Sequence, residues 1–369
     1  MSRSAPVERL FLNQKFQLQI PPLNLIHQTE INDFIALMKQ HQIVVVDARS
    51  PGEYFQGHIP GAQNLSLLNN EERHNVGITY KQRGQHEAVK KGLELVGHKF
   101  VDYVKQAENL ATDRRILVYC WRGGMRSNIM AWLLNLAGFD VYLLIGGYKS
   151  YRHLCLEEFS RKREIVILSG KTGTGKTEVL QQLQMAGENI LDLEGIAHHK
   201  GSAFGALGQL EQPTQEHFEN ILGWQLHASN DAALWVEDES RFIGRMRIPD
   251  LFYDNMHVAP MLGLERSQDE RATRILNEYG NFSKEELLEK TLSVRKRMGG
   301  ENVKQSVDCL MADDLKGWVV PLLDYYDKTY THSRNQHGSK IQHVIEISGN
   351  ITSSFIQDLI KAKSELLKS

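Results

Sequence analysis

The stretch "REIVILSGKTGTGKTEVLQQLQ" at residues 163–184 constrains the fold of this chain more than any other. Its apolar run predicts a buried strand, its glycine-rich middle predicts a turn, and the residues that follow have helical spacing. A strand that passes through a short turn into a helix is the repeating unit of parallel α/β sheets. The second half of the chain is therefore predicted to be an α/β domain.

The turn in this stretch matches the complete P-loop pattern G-x-x-x-x-G-K-[ST]. Backbone N–H groups of such a loop point at phosphate oxygens, and the following helix N-terminus adds partial positive charge. Lys176 is predicted to reach terminal phosphate oxygens, and Thr177 to hold Mg²⁺. The pattern predicts a phosphorylated ligand without requiring nucleotide hydrolysis. The predicted ligand-binding residues are Gly170, Lys171, Thr172, Gly173, Thr174, Gly175, Lys176 and Thr177.

An acidic group follows a second apolar run in this half of the chain. "ALWVEDES" places Glu237, Asp238 and Glu239 after a predicted strand, and we choose Asp238 as the second Mg²⁺ residue. The choice depends on strand register, since a shift of one residue turns each side chain to the opposite face. From about 265 to 330 the periodicity is mostly helical, which predicts a helical extension of this domain.

Two further features could contact a substrate. "LDLEGIAHHKGSAFG" at 191–205 carries His198, His199 and Lys200 after a strand, and reads either as a substrate loop or as an ordinary surface loop. The basic stretches 240–248 and 293–300 are candidate RNA contacts or solvated helix faces. With a formal net charge of -2, the chain is not a uniformly basic nucleic-acid coat.

The first half shows the same alternation of strands and helices. Strands are predicted from residue 43, at 114–120 and from 140, with a helix in "SNIMAWLLNLAGF" between the last two. This order predicts a parallel α/β sheet over roughly 20–150. A length of 369 residues suits two domains better than one core. We place them at 1–154 and 155–369, with the charged segment 155–164 as the connection.

"VYCWRGGMRSN" at 118–128 places Cys120 at the end of a strand and before a helix, where parallel sheets bind ligands. The helix dipole, Arg122 and Arg126 would stabilise a thiolate there, and Gly123 and Gly124 let the loop curl around an anion. The competing interpretation is a buried thiol before an ordinary turn. Cys155 and Cys309 lack such surroundings and are interpreted as small buried hydrophobes.

Two chemistries use such a loop. Cys120 and Arg126 have the spacing of a cysteine phosphatase, whereas a rhodanese-like transferase carries sulfur or selenium on the cysteine. "VVDARSPGEYFQGHIPGAQNL" resembles the rhodanese signature through Asp47, Arg49 and the turn Gly57–Ala62. Common single-domain rhodaneses have arginine five positions after the cysteine, but Arg126 is six after it. The larger loop suggests a bulkier anion, such as a selenophosphate or a phosphate.

In its combination of parts the chain resembles the bacterial tRNA 2-selenouridine synthases. The resemblance covers nearly the whole chain and rests on the loop "CWRGGMRS", the insertion at 77–92, the P-loop and the domain order. It implies an N-terminal rhodanese-like domain and a C-terminal P-loop NTPase-like domain. It also implies tRNA as substrate, selenophosphate as donor, geranyl diphosphate as co-substrate and an S-geranylated intermediate. Cys120, Arg122 and Arg126 would then handle selenophosphate, and the P-loop would bind the prenyl diphosphate.

Other interpretations remain open at this point. One is a sulfurtransferase or phosphatase fused to an ATP-dependent kinase-like domain, and another is a nucleotide-regulated RNA-binding module. ATP and an RNA phosphate are alternative P-loop ligands, and a selenophosphate-supplying enzyme is a candidate partner. The start "MSRSAPVERLFLNQKF" lacks the apolar segment of a signal peptide, and the chain has no apolar run of about 18 residues. We therefore expect a cytoplasmic protein without membrane contact.

Overall fold

A computed structural model describes residues 25–40, 42–229, 232–337 and 341–368 of the protein. Contacts divide the chain into two compact units. One comprises the described residues up to Tyr54 together with Gly61–Ser150, and the other comprises Phe55–Pro60 and the chain from Tyr151. The predicted boundary at 154/155 lies within the helix Tyr148–Ser160, which also covers most of the expected connection. The predicted domain's first 24 residues, including the start examined for a signal peptide, lie outside the described residues.

The first unit alternates short strands with helices, and its last helix continues into the second unit. Its elements are β1 (His27–Thr29), α1 (Ile31–Gln40), β2 (Val44–Asp47), α2 (Pro51–Gln56), β3 (Gln63–Asn64), α3 (Asn70–Val96), α4 (Phe100–Leu110), β4 (Arg115–Tyr119), α5 (Met125–Leu136), β5 (Asp140–Leu144) and α6 (Tyr148–Ser160).

These strands form one parallel sheet in the order β1-β5-β4-β2-β3. Apolar residues of the strands and of α5 share one buried cluster, which includes Val46, Val118, Val141, Met130 and Leu134. Because β4 is the central strand, the loop that follows it lies in the middle of the carboxyl edge of the sheet. This is the edge where open parallel sheets bind ligands.

Helix α3 contains the whole insertion at 77–92. It begins with a capping box at Asn69 and Glu72, which satisfies two backbone N–H groups at the start of the helix. It is interrupted at Gly84, whose φ of 84° and ψ of 179° are not helical. Glycine tolerates this conformation without a steric penalty, so the insertion forms two helical halves joined by a kink.

The second unit is larger and carries more helix. Its elements are β6 (Ile165–Gly170), α7 (Lys176–Met185), β7 (Asn189–Leu191), α8 (Leu193–Ala197), α9 (Gln215–Ala228), β8 (Leu234–Glu237), β9 (Phe242–Ile243), β10 (Met246–Arg247), α10 (Asp250–Val258), β11 (Met261–Glu265), α11 (Gln268–Tyr279), α12 (Lys284–Ser293), α13 (Arg295–Met298), α14 (Gly300–Met311), α15 (Leu315–His337), β12 (Ile341–Glu346) and α16 (Ser353–Leu366).

Its main sheet is also parallel, in the order β12-β11-β6-β8-β7, so β6 is the central strand. One buried cluster joins this sheet to α7 and α16. A second cluster lies among α11 to α15 and includes Phe204 and Trp318. The predicted α/β class and the helical extension are thus confirmed. None of the described helices is long and apolar enough to span a membrane.

The strand β11 is an element that sequence reasoning missed, although it pairs with both β6 and β12. It is only 5 residues long, and Gly263 interrupts its apolar pattern. The structure explains this glycine, since a Cβ there would lie 2.5 Å from Cδ1 of Ile341. Close packing between neighbouring strands therefore requires the residue that weakens the strand signal.

Candidate functional site

Cys120 lies in the turn between β4 and α5, as predicted. Its side chain is 3% exposed, and its Sγ lies 3.1 Å from Oγ of the fully buried Ser127. Ser127 Oγ also lies within hydrogen-bonding distance of the Gly124 carbonyl, at 3.1 Å. A hydroxyl in this position can donate a hydrogen bond to a thiolate, and the start of α5 adds the positive end of a helix dipole. The turn thus combines a thiol with two features that stabilise negative charge.

The Cys120 loop packs against a second glycine pair, Gly146 and Gly147. The Cys120 carbonyl accepts a hydrogen bond from the backbone N–H of Tyr148 at 2.8 Å. Gly147 has a φ of +61°, and a Cβ there would lie 2.3 Å from the Cys120 carbonyl oxygen and 2.4 Å from the Gly123 nitrogen. No side chain fits at this position without moving the loop. The glycines at the end of β5 therefore hold the thiol loop in place.

Arg126 is directed at a carboxylate that sequence reasoning missed. Its guanidinium donates to Glu53 over 2.5 Å and 3.3 Å, and Arg73 contacts the same carboxylate at 2.9 Å. Burial alone would raise the pKa of Glu53, but its partners, with Arg126 foremost, lower that pKa below its ordinary value. Arg122 is exposed and forms no hydrogen bond or ion pair with any other described residue. Anion binding by these arginines stays a prediction.

Asp47 and Arg49 form an ion pair that is completely buried beside this loop. Arg49 Nη2 lies 2.6 Å from Asp47 Oδ2, and Arg49 Nε lies 3.0 Å from Oδ1. The guanidinium stacks on the Tyr148 ring at 3.8 Å from its centroid and lies 5.7 Å from that of Trp121. A buried bidentate pair of this kind has little freedom, so it fixes the aromatic residues around the turn.

The other two cysteines lack these surroundings. Cys155 is fully buried in α6, and burial raises the pKa of its thiol to about 12. Cys309 is partly buried in α14. The thiolate is the reactive form of cysteine, so a raised pKa makes Cys155 inert at neutral pH.

Gly170–Thr177 links the central strand β6 to α7, as the P-loop pattern predicts. Gly173 and Gly175 have left-handed φ values of +82° and +95°. The Lys176 ammonium donates to the carbonyl of Gly170 at 3.2 Å. Burial lowers the pKa of Lys176, but the carboxylates of nearby glutamates raise it above its ordinary value. The loop thus presents backbone N–H groups and a permanent cation.

Three acidic side chains converge beside this lysine. Carboxylate oxygens of Glu194, Glu237 and Glu239 lie within 4.8 Å of one another. Thr177 Oγ1 donates to Glu194 at 3.5 Å. Burial raises the pKa of all three glutamates, and repulsion from neighbouring carboxylates raises each further. Glu237 is fully buried, and neither of its carboxylate oxygens has a hydrogen-bond partner among the described residues. The residues fit a divalent cation, which accepts carboxylate oxygens as ligands.

Asp238, the predicted Mg²⁺ residue, lies between two members of this cluster but is directed elsewhere. Its Oδ2 accepts hydrogen bonds from Ser169 at 2.6 Å and from Tyr330 at 3.1 Å. The acids on either side, Glu237 and Glu239, converge on Glu194 instead, which accepts from Thr177. Metal binding by Asp238 and Thr177 stays a prediction, and the structure adds Glu194, which sequence reasoning missed.

A cavity of about 1320 Å³ extends from the P-loop. Part of its lining is polar and includes the neighbours Lys176, Glu194 and Glu239. Another part, its apolar end, is formed by residues of the buried cluster among α11 to α15: Phe204, Val294, Trp318 and Leu322. Apolar side chains around a few convergent polar groups are typical of ligand sites. The cavity can therefore hold a ligand with a phosphate group at one end and an apolar body at the other.

The segment 191–205 and the basic stretches contribute partly to this cavity. Lys200 and Arg297 line it, and Lys200 also pairs with Glu278. His198 instead bonds the carbonyl of Glu211 at 2.9 Å, and burial lowers the pKa of His199. The arginines of 240–248 have acidic neighbours: Arg241 and Arg247 pair with Asp250, and Arg245 with Glu211. Local acids thus offset the positive charge of that stretch.

The helical extension anchors the P-loop through a residue without a sequence signal. Arg271 of α11 donates to the carbonyl of Thr172 at 3.1 Å and forms a bidentate pair with Asp327 of α15 at 2.9 Å and 2.7 Å. It is 3% exposed. The extension therefore fixes the backbone of the phosphate loop.

Two known protein families match this chain. The family described as "tRNA 2-selenouridine synthase AAA domain" matches residues 163–359, and "Rhodanese-like domain" matches residues 30–154. The rhodanese-like and P-loop resemblances are thus confirmed.

Curated relatives match across almost their whole length. A tRNA 2-selenouridine synthase of Pseudomonas syringae pv. syringae is 37% identical, and the match covers 84% of this chain and 93% of the relative. Proteins of the same name from Pseudomonas fluorescens and Marinobacter nauticus are 38% and 35% identical, with 90% and 94% of the relative covered.

Proposed function

The chain belongs to the tRNA 2-selenouridine synthase family, and we propose that it converts the wobble 2-thiouridine of tRNA to 2-selenouridine in two steps at two sites. In the first step the sulfur is geranylated with geranyl diphosphate, and in the second selenium replaces the geranylated sulfur. The main support for the proposal is that this chain has both a thiol loop and a P-loop and matches a family member over 93% of that relative's length. With tRNA as substrate, the reaction belongs in the cytoplasm.

The first step suits the P-loop unit. The thiocarbonyl sulfur attacks C1 of the geranyl group, the C–O bond breaks, and diphosphate departs with its electron pair. Loop N–H groups and the Lys176 ammonium would stabilise the charge on this leaving group. The apolar end of the cavity offers room for the prenyl chain. ATP is the competing ligand, but prenyl transfer consumes no nucleotide.

The second step suits the Cys120 loop. Alkylation makes the sulfur a better leaving group, so a selenide can add at C2 and expel geranyl thiol. Selenophosphate already holds selenium at the selenide level, and cleavage of its Se–P bond releases selenide when the phosphoryl group passes to a nucleophile. We assign this role to the Cys120 thiolate, with Arg122 and Arg126 on the phosphate oxygens. Water would then hydrolyse the S–P bond of the phosphocysteine, which releases phosphate and restores the thiol. The phosphatase-like spacing of Cys120 and Arg126 supports attack at phosphorus. A selenophosphate-producing enzyme would supply the donor.

The order of the two steps is tested by omission. With geranyl diphosphate and a 2-thiouridine anticodon stem-loop RNA, but without selenophosphate, we expect S-geranyl-2-thiouridine to accumulate. Addition of selenophosphate should convert it to 2-selenouridine, as measured by nucleoside mass spectrometry. Selenation of 2-thiouridine at full rate without geranyl diphosphate would contradict the proposed order.

We also propose that Mg²⁺ is held by Glu194, Glu237 and Glu239, with Thr177 and Asp238 adjacent. When bound, it would supply positive charge for a departing diphosphate. Without a cation these carboxylates repel one another, so Mg²⁺ should raise the thermal unfolding midpoint by about 2–4 °C. The shift should be smaller in Glu237→Gln, as measured by calorimetry. The exposed-site control Glu289→Gln should retain it, and an equal shift in Glu237→Gln would contradict the assignment.

A further inference from the structure

An apolar groove of about 700 Å³ lies in the first unit, between α3 and the start of α5. Its volume falls in the range of about 300–1,000 Å³ that is typical of small-molecule pockets. Val89 and Leu93 of α3 face it together with Met125 and Ile129 of α5. The groove lies in the unit that contains Cys120 and is separate from the cavity at the P-loop.

The groove exposes apolar side chains that a core would bury. Leu93 is 48% exposed, Met125 46% and Ile78 39%, and all three line the groove. Large apolar side chains that cluster at one concave surface indicate a binding site, whereas isolated ones do not. This clustering points to an apolar ligand.

Cationic side chains surround the apolar surface. Arg73, Lys81 and Arg126 line the same groove. Glu53 pairs with two of them, Arg73 and Arg126, and its single charge leaves the rim with an excess of positive charge. An apolar floor with a cationic rim is complementary to an apolar group attached to a polyanion. A prenylated RNA has this combination, whereas a neutral lipid has no charge to interact with the cationic rim.

The groove is also close to the thiol. The first turn of α5 contributes Met125 and Arg126 to the groove, and the next residue, Ser127, contacts Cys120 Sγ at 3.1 Å. An RNA base placed at the thiol loop would therefore carry any substituent on its sulfur within one helical turn of the groove.

We propose that this groove binds the geranyl chain of the S-geranylated RNA while selenium replaces sulfur at the Cys120 loop. This inference rests on the proposed function and assigns the prenyl group a second site, apart from the one that receives geranyl diphosphate. Burial of the geranyl chain here would position C2 for attack. The groove would then receive the departing geranyl thiol.

Two glycines make a direct test possible. Gly77 and Gly92 line the groove within α3, and a Cβ at either would meet no atom within 4 Å. Leucine has a higher helix propensity than glycine, so Gly92→Leu should fill part of the groove without loss of folding. Gly97 also has open space around its Cβ position but does not line the groove, so Gly97→Leu is the matched control.

The probe is the nucleoside S-geranyl-2-thiouridine, with S-methyl-2-thiouridine for comparison, and binding to the full chain is measured by calorimetry. We expect the geranyl probe to bind more tightly than the methyl probe. Gly92→Leu should weaken geranyl binding about tenfold, the cost of keeping about two methylenes out of the groove. Gly97→Leu should bind as the unmodified chain does. Equal affinity for the two probes, or unchanged geranyl binding in both Gly92→Leu and Gly77→Leu, would overturn the proposal.

Selenation of a pre-geranylated stem-loop RNA separates this inference from the proposed function. If the unmodified chain selenates the RNA and Gly92→Leu leaves its KM unchanged, the groove assignment is wrong and the function stands. If the geranyl probe binds in a manner sensitive to Gly92→Leu but no selenation occurs, the groove assignment stands and the proposed function is wrong.

Discussion

Cys120→Ser should abolish selenation and leave geranylation intact. A serine hydroxyl has almost no anionic form at neutral pH, so it cannot replace a thiolate that attacks selenophosphate. The rate of selenation of S-geranylated RNA should fall at least about 10³-fold, the scale observed when an enzyme loses its nucleophile. Geranylation of 2-thiouridine RNA should proceed unchanged, because that step is assigned to the other unit. Both rates are measured by nucleoside mass spectrometry.

Cys309→Ser is the control for this experiment, because it also replaces one thiol but belongs to helix α14 of the other unit. It should retain both steps. Selenation that persists in Cys120→Ser would show that the thiol has no chemical role. The interpretation of Cys120 as a buried thiol before an ordinary turn would then replace the reactive one.

Lys176→Ala should have the opposite effect. It removes the cation that would face the departing diphosphate, and it leaves Glu194, Glu237 and Glu239 without their positive neighbour. We expect kcat/KM for geranyl diphosphate to fall about 100-fold or more, the usual cost of losing one group that stabilises a transition state. Selenation of pre-geranylated RNA should continue, which also shows that the chain is folded.

Lys171→Ala is the matched control, because alanine keeps the backbone N–H that Lys171 offers to the loop and removes only a half-exposed side chain that pairs with Asp327 at 3.5 Å. Its loss should change geranyl diphosphate use little. Unchanged geranylation kinetics in Lys176→Ala would assign the P-loop to another ligand. Binding of ATP with a dependence on Lys176 would then favour the kinase-like interpretation of this domain.

The loops at both sites could be predicted because their signals are local. Each is a continuous run of apolar strand, glycines and helix start, and the residues predicted to act there, Cys120 and Gly170–Thr177, lie inside that run. The structure places both loops at the carboxyl end of a central strand. Helix α12 also begins at a local signal, because Ser283 and Glu286, three residues apart, form its capping box.

The partners of these loops could not be predicted because they come from distant parts of the chain. Glu53 reaches Arg126 across 73 positions, and Arg271 reaches Thr172 across 99. Glu53 lies inside the stretch that resembles the rhodanese signature, but no local pattern there indicates Arg126 as its partner, and Arg271 has no signal in its own neighbourhood. The choice among the three acids after β8 also depended on strand register. In the structure Glu237 and Glu239 face Glu194, whereas Asp238 accepts hydrogen bonds from Ser169 and Tyr330.

The groove beside α5 could not be predicted from the sequence for a different reason. The insertion at 77–92 is visible in the sequence, but its apolar residues have the spacing of any amphipathic helix. Only coordinates reveal that Ile78, Leu93 and Met125 stay exposed around a common space instead of joining the core. Exposed apolar surface cannot be distinguished from core by periodicity alone.

Nucleoside mass spectrometry of tRNA from cells that lack this protein is the decisive test of the two-step conversion. We expect 2-selenouridine and S-geranyl-2-thiouridine at the wobble position both to disappear and 2-thiouridine to remain, and the unmodified chain should restore both products. Unaltered 2-selenouridine in those cells would show that this protein does not make it.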